Sequence, residues 1–171
     1  PNEIDLTPIK YLHNLTYLDF HNTPIPNPDI FEGLKKLKRL SLNYTKIQSL
    51  EFLTYLTELT KIGIKGLKGH DLRILSTLPK LTSISVSDLQ LITHLTHLKE
   101  INIGGTKISS LEPLSAFPDL EKLFISGTDV LDLSPIKNLQ KLTTLNANRS
   151  KIADITPLKN LTKLQSVMIS D

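Results

Sequence analysis

Eight pairs of apolar residues, each split by one position, pace the chain at a nearly fixed interval. They are Leu18/Phe20, Leu40/Leu42, Ile62/Ile64, Ile84/Val86, Ile101/Ile103, Leu123/Ile125, Leu145/Ala147 and Val167/Ile169. Their first members advance by 22 residues at every step except one, the step from Ile84 to Ile101, which is 17. A chain with such a period is one small unit written many times, and that excludes most folds before any other property is weighed. The composition agrees, since 33 Leu and 18 Ile make up the bulk of the apolar residues of a 171-residue chain.

The frame extends on both sides of each pair. One copy runs Leu120, Leu123, Ile125, Thr128, Val130, Leu133, Ile136, Leu139, and the next runs Leu142, Leu145, Ala147, Ser150, Ile152, Ile155, Leu158, Leu161. This is a leucine-rich repeat, with Thr or Ser where Asn is commoner. The split pair is the half-buried part of a short strand, because alternate side chains face one side. Thr23, Thr45, Thr106, Thr128 and Ser150 follow the strand, where their hydroxyls bond nearby backbone. The return leg opens on Asp5-Leu6-Thr7-Pro8, Asp132-Leu133-Ser134-Pro135 and Asp154-Ile155-Thr156-Pro157, with Ser110-Leu111-Glu112-Pro113 as a variant. A hydroxyl before Pro reads as an N-cap. Leu at every third position afterwards favours 3₁₀ turns over long α-helices.

No single repeat buries its own Leu face, so stacking supplies the core. The expected fold is an α/β solenoid, a right-handed horseshoe. Its parallel β-sheet of about eight strands lines the concave face and short 3₁₀ or helical turns line the convex one. Residues 1–171 form a single array. Residues 3–15 read as the back half of a repeat whose strand is missing, and Val167/Ile169 fall just before Asp171. With no polar cap at either end, the chain reads as a piece of a longer protein.

Three copies depart from the frame. Pro24, Pro26 and Pro28 crowd the turn of the first, Leu67 and Gly69 replace Thr and Ile in the third, and the fourth is five residues short. That shortening reads as a return leg compressed into residues 90–94. The stretch 66–96 is either a tolerated irregularity that changes local curvature, or a soft joint or specialised contact.

Chemistry is sparse. No Cys is present, which removes disulfides, thiolate zinc sites and thiol catalysis. His94 and His97 lack a third ligand for a catalytic zinc. No G-K-[ST] follows Gly104-Gly105, and no carboxylate pair suggests acid–base work. The expectation is a non-enzyme without cofactor or metal. Twenty basic against seventeen acidic residues is too even for nucleic acid, and no apolar run is long enough for membrane insertion. Residues Pro1-Asn2-Glu3 show no signal peptide. The sequons at Asn14, Asn43, Asn148 and Asn160 follow largely from the repeat wording.

What remains is the strand face opposite the core. With Leu40 and Leu42 inward, Arg39, Ser41 and Asn43 point out. Applied to every strand, this register places Tyr17, Asp19, Arg39, Lys61, Lys65, Lys122, Phe124, Asn146 and Met168 outward, with Tyr44 and Arg149 at the adjoining turns. Phe124 and Met168 stand where polar residues are usual. Aromatic residues and Arg are enriched at binding hot spots, so these eleven are the candidate protein-binding residues. Glu100 and Lys122 share a column on adjacent strands, and Lys46, Lys68, Lys107 and Lys151 form a basic rim.

Asp154 to Leu158 (D-I-T-P-L) and Leu158 to Leu164 (L-K-N-L-T-K-L) resemble the internalin-type bacterial leucine-rich repeats. The resemblance covers the whole chain. Internalins bind host receptors through the concave face, which implies a secreted or cell-surface protein whose partner is another protein. It also implies that the outward columns carry binding, with Phe124 in the aromatic role. Similar repeats occur in an intracellular phosphatase regulator and in secreted effectors, so the alternative is an intracellular scaffold or regulatory arm that positions a partner enzyme.

Overall fold

A computed structural model of the protein describes residues 4–170. Pro1–Glu3 and Asp171, on which the readings of the leader and of the chain ends partly rest, lie outside the described residues. The chain forms two compact units divided between Leu81 and Thr82. The first holds strands β1 (Tyr17–Asp19), β2 (Arg39–Ser41) and β3 (Lys61–Gly63), and the second holds β4 (Ser83–Ser85), β5 (Glu100–Asn102), β6 (Lys122–Phe124), β7 (Thr144–Asn146) and β8 (Ser166–Met168).

Within each unit the strands pair in parallel and in chain order. In the first, Leu18 lies opposite Leu40, and Leu40 opposite Ile62. In the second, Ile84, Ile101, Leu123, Leu145 and Val167 form one row. The return legs are 3₁₀ turns: Thr7–Tyr11, Pro28–Phe31, Glu51–Tyr55 and Leu72–Thr77 in the first unit, and Gln90–Ile92, Glu112–Ala116, Ser134–Ile136 and Thr156–Asn160 in the second. Leucine-rich repeat architecture is therefore what the sequence builds, with strands and turns where the apolar frame puts them.

The rows are the core. Leu34, Leu37, Leu53, Leu56, Leu59, Leu98, Leu114, Leu120, Leu123 and Leu142 have no exposed surface. Burying such a side chain is worth roughly 1.5–3 kcal/mol, so a ladder of them is the main stabilising term. Phenylalanine contributes as well. Phe31 stacks on Phe52 with centroids 4.0 Å apart, Phe20 meets Phe31 edge-on, and Phe117 is fully buried. At the far end of the second unit the row opens, and Val167 and Ile169 are 44% and 43% exposed.

The Thr ladder behaves as expected. Thr45, Thr106, Thr128 and Ser150 donate their hydroxyls to the carbonyls of Leu42, Ile103, Ile125 and Ala147, at 2.8, 2.6, 2.7 and 2.5 Å.

Capping differs from the sequence reading. Thr7, Ser134 and Thr156 are the first residues of their turns, and the residues before them make no side-chain cap. The acceptor sits two positions earlier: Asp5, Asp132 and Asp154 take the N–H of Thr7, Ser134 and Thr156 at 2.9, 2.7 and 2.8 Å. Asn27, Ser49, Asp71, Asp88 and Ser110 do the same for the N–H two residues on. Each return leg thus begins at a short polar side chain that satisfies an otherwise orphan donor.

This ladder relocates the gap in the fourth repeat. From Asp88 to Ile101 there are 13 residues, the same as from Ser110 to Leu123. From Ile84 to Asp88 there are only four, against nine from Ile101 to Ser110. The return leg is intact, and the five residues are missing from the passage between strand and cap.

Candidate functional site

On the sheet side away from the Leu rows, most outward side chains keep some exposed surface while Ser83 and Ser85 are buried, and the two units present different chemistry. In the first unit, Tyr17 and Arg39 lie opposite each other in the strand register, and the Arg39 guanidinium sits 5.0 Å from the centre of the Tyr17 ring. The Tyr17 hydroxyl donates to Asp19 Oδ2 at 3.1 Å, and this bond with the neighbouring negative charge raises the Tyr17 pKa above the ordinary phenol value. Desolvation pushes the Asp19 carboxyl up, but hydrogen bonds from the His21 N–H, Ser41 and Tyr17 outweigh it and leave it below its ordinary value.

Arg39 and Lys61 are opposite each other across β2 and β3. Lys65 lies four residues further along, half-buried, and desolvation lowers its pKa. The Lys65 N–H donates to Asn43 Oδ1 at 2.8 Å, and the Lys65 carbonyl accepts from the Tyr44 N–H at 2.6 Å. The sequon Asn43 is thereby held within the sheet face rather than projecting from it.

Tyr44 occupies a position with a special backbone. The residue after the outward column turns the chain with positive φ in six copies: Asn22, Tyr44, Gly66, Gly105, Gly127 and Arg149. Left-handed backbone costs an ordinary L-residue roughly 1–2 kcal/mol. Three copies avoid this with glycine, whereas Tyr44 (φ 59°) and Arg149 (φ 53°) do not. The Tyr44 ring lies across the bare backbone of Gly66, where a Cβ would fall 2.4 Å from Tyr44 Cδ1. The ring also meets the His21 ring edge-to-face, with centroids 5.4 Å apart and planes at 66°.

In the second unit, Asn102, Phe124, Asn146 and Met168 are register neighbours in one outward column. Phe124 and Met168 are half-buried there rather than projecting. Asn146 Oδ1 accepts from the Asn148 N–H at 3.1 Å, as Asn102 Oδ1 does from Gly104 at 2.9 Å and Asp19 Oδ1 from His21 at 2.8 Å. Asp19 and Asn146 therefore have a structural task as well as an outward position. The recurrence of Asp or Asn right after the first pair member was the signal for it. Lys122 and Arg149 are exposed. Glu100 accepts from Ser83 at 3.0 Å, and Lys99, just before β5, pairs with Glu121, just before β6, also at 3.0 Å. In the basic rim, Lys151 pairs with Asp129 at 3.0 Å.

The eleven candidate residues thus fall into two groups. Tyr17, Asp19, Arg39, Tyr44, Lys61 and Lys65 share the open face of the first unit, and Lys122, Phe124, Asn146, Arg149 and Met168 share that of the second. His94 and His97 both face solvent. Among the described residues no helix is long and apolar enough to cross a membrane.

Residues 29–128 match the family model described as the endo-beta-N-acetylglucosaminidase EndoS LRR domain. An internalin (inlF) of Listeria monocytogenes is similar in structure, with a TM-score of 0.69 and 27% identity over 96% of this chain and 50% of that one. Internalin C2 (inlC2) of the same species gives 0.68 and 23% identity, over 94% of this chain and 74% of that one. TLR13, in its complex with ssRNA13, gives 0.66 and 23% identity over 96% of this chain and 27% of that one. This chain therefore spans half the length of the first internalin. Curated protein sequences gave no match.

Proposed function

Because the chain belongs to the leucine-rich repeat family of the EndoS LRR domain, we propose that it is a recognition module that binds another protein through the open face of its sheets. The observation that carries this reading is a division of labour along each strand. In the second unit the inward strand residues Ile84, Ile101, Leu123 and Leu145 have no exposed surface. The outward positions vary from strand to strand, with Tyr17, Arg39, Lys61, Lys122 and Phe124 among them, and the Leu rows do not dictate that choice. Leucine-rich repeat arrays of this kind typically serve as scaffolds for protein–protein interaction rather than catalysis.

The likeness to internalins favours a secreted or cell-surface protein as the setting. A second reading has its own support, since the matching family model is the LRR domain of an enzyme. In that reading this array is an arm that places a catalytic domain or partner enzyme on its target. Nucleic acid is disfavoured by the near balance of charge, +3 overall. TLR13, solved with RNA, resembles this chain at the level of fold.

A photo-crosslinking residue at Phe124 or Tyr17, compared with one at Tyr55 on a 3₁₀ turn, tests the face. Partner adducts at the first two positions and none at Tyr55 support the proposal, and the reverse pattern refutes it. The double variant Phe124→Ala/Tyr44→Ala should weaken that partner at temperatures where it stays folded, and it should lose less thermal stability than the core variant Leu123→Ala. An open reading frame that carries an export signal would favour the surface setting, and a catalytic domain without one would favour the arm.

A further inference from the structure

The third repeat departs from the frame at two positions that adjoin one depression of the first unit. Thr45, Thr106 and Thr128 are buried with their hydroxyls bonded, but Leu67 stands at the same phase as a half-buried apolar side chain. Two positions on, Ile25, Ile47 and Val130 are buried, whereas Gly69 brings no side chain, and a Cβ on it would meet nothing within 4 Å. Beside them the depression has a volume of about 450 Å³, with Pro26, Lys46, Ile47, Leu67, Lys68 and His70 in its lining. Its charge is one-sided. No carboxylate lines it, and among the described residues the side chains of Lys46 and Lys68 make no hydrogen bond or ion pair. The second unit compensates the same column: Asp129 follows Lys107 by one repeat, bonds Lys151 at 3.0 Å, and is held below the usual carboxylate range by that bond and by the charge of Lys107. Glu51 and Asp71 line an adjoining depression, where Arg73 already holds Asp71 at 2.6 Å. Unmatched charge of one sign beside an apolar recess selects a partner of the other sign.

We infer that this depression is a docking site, outside the open face, for an acidic segment of a partner protein. An aliphatic side chain of the segment seats against Leu67 and Ile47 in the room that Gly69 leaves, and its carboxylates pair with Lys46 and Lys68. The inference stands on its own observations and does not depend on the open-face reading.

The test is selection of random displayed peptides on the intact chain, with counter-selection on its Lys68→Asp variant. That substitution copies the order of Lys107 and Asp129 in the second unit and gives Lys46 a carboxylate from within the fold. Leu67→Thr is the companion variant, because the second repeat carries Thr45 at that phase with its hydroxyl bonded to the Leu42 carbonyl. Peptides that bind wild type but not Lys68→Asp should combine Asp or Glu with Leu, Ile or Val and weaken as salt rises. Their Kd should rise about tenfold or more on Leu67→Thr, as expected for a hot spot, and stay unchanged on Phe124→Ala. Lys46→Gln, at an exposed position that the fold does not need, should also weaken them. The inference is overturned if every selected peptide binds Lys68→Asp and Lys46→Gln as tightly as wild type, or if the surviving peptides bind Leu67→Thr unchanged. Peptides lost on Phe124→Ala but not on Leu67→Thr would overturn it while leaving the open-face proposal standing.

Discussion

Replacing Arg149 by glycine should stabilise the second unit, although it removes a large side chain and adds no contact. Arg149 has a φ of 53° and its side chain is exposed; its backbone N–H bonds the Ser170 carbonyl, a bond that any residue preserves. The left-handed conformation costs an L-residue roughly 1–2 kcal/mol. Glycine escapes that cost but returns about 0.5–1 kcal/mol through its greater freedom when unfolded. The expected net gain is therefore about 0.5–1 kcal/mol. Arg149→Ala keeps the Cβ that causes the strain, so it should stay within about 0.5 kcal/mol of wild type.

The reciprocal change lies one repeat earlier. A Cβ on Gly127 would find its nearest atom beyond its chain neighbours, the Gly105 nitrogen, at 3.9 Å, so Gly127→Ala creates no clash and exposes the conformational term alone. It should cost about what Arg149→Gly gains. Urea unfolding with the m-value checked for constancy reads all three variants. If Arg149→Gly is no more stable than Arg149→Ala, the strain argument is wrong.

Truncating the buried ladder residue Leu123 to Ala should cost roughly 2–5 kcal/mol, whereas Val167→Ala, at a site 44% exposed, should cost less than about 1 kcal/mol; equal losses in urea melts would contradict the core described here. Hydrogen bonds from Thr7, Ser134 and Thr156 hold the carboxyls of Asp5, Asp132 and Asp154 below their ordinary value. The stability they contribute is present above the unfolded-state pKa of about 3.9 and is lost as pH falls through the lower folded values. Urea midpoints that stay flat as the pH is lowered through that range would refute it. Because the return leg after Asp88 is full length and Ile84, Leu89 and Ile92 are buried, amides of residues 83–98 should exchange no faster than those of 120–142; markedly faster exchange would favour the soft joint.

The strand positions and their register were legible because the apolar interval is almost invariant and each inward position has one neighbour type to meet. The capping residue was misplaced because Asp-x-Thr-Pro offers two candidates, and only geometry shows that the carboxylate two positions earlier does the bonding. Apolar spacing says that five residues are missing before Ile101 but not where. The cap at Asp88 locates them, and it had no visible counterpart until Asn27, Ser49 and Asp71 were seen in the same role. The outward direction of Phe124 followed from alternation, but its half-burial depends on neighbours in register, which alternation does not describe. The αL setting of Tyr44 and Arg149 was readable from Gly66, Gly105 and Gly127 at the same phase. The partner is not written in the periodic part of the chain, because the fold constrains the face that packs and leaves the other free.

The intact leg after Asp88 has a wider meaning. Each repeat is a rigid segment, running from the polar cap to the next strand, joined to a spacer whose length the stack does not dictate. The fourth copy shows that spacer shortened by more than half, with capping and burial unchanged on either side. Residues added or deleted there should leave the ladder in phase, whereas a single insertion between Ser110 and Leu123 would displace the buried leucines of that return leg, Leu111, Leu114 and Leu120, from their neighbours in the stack. The passage between strand and cap is thus the place where this architecture tolerates variation, whether by evolutionary insertion or by a grafted loop.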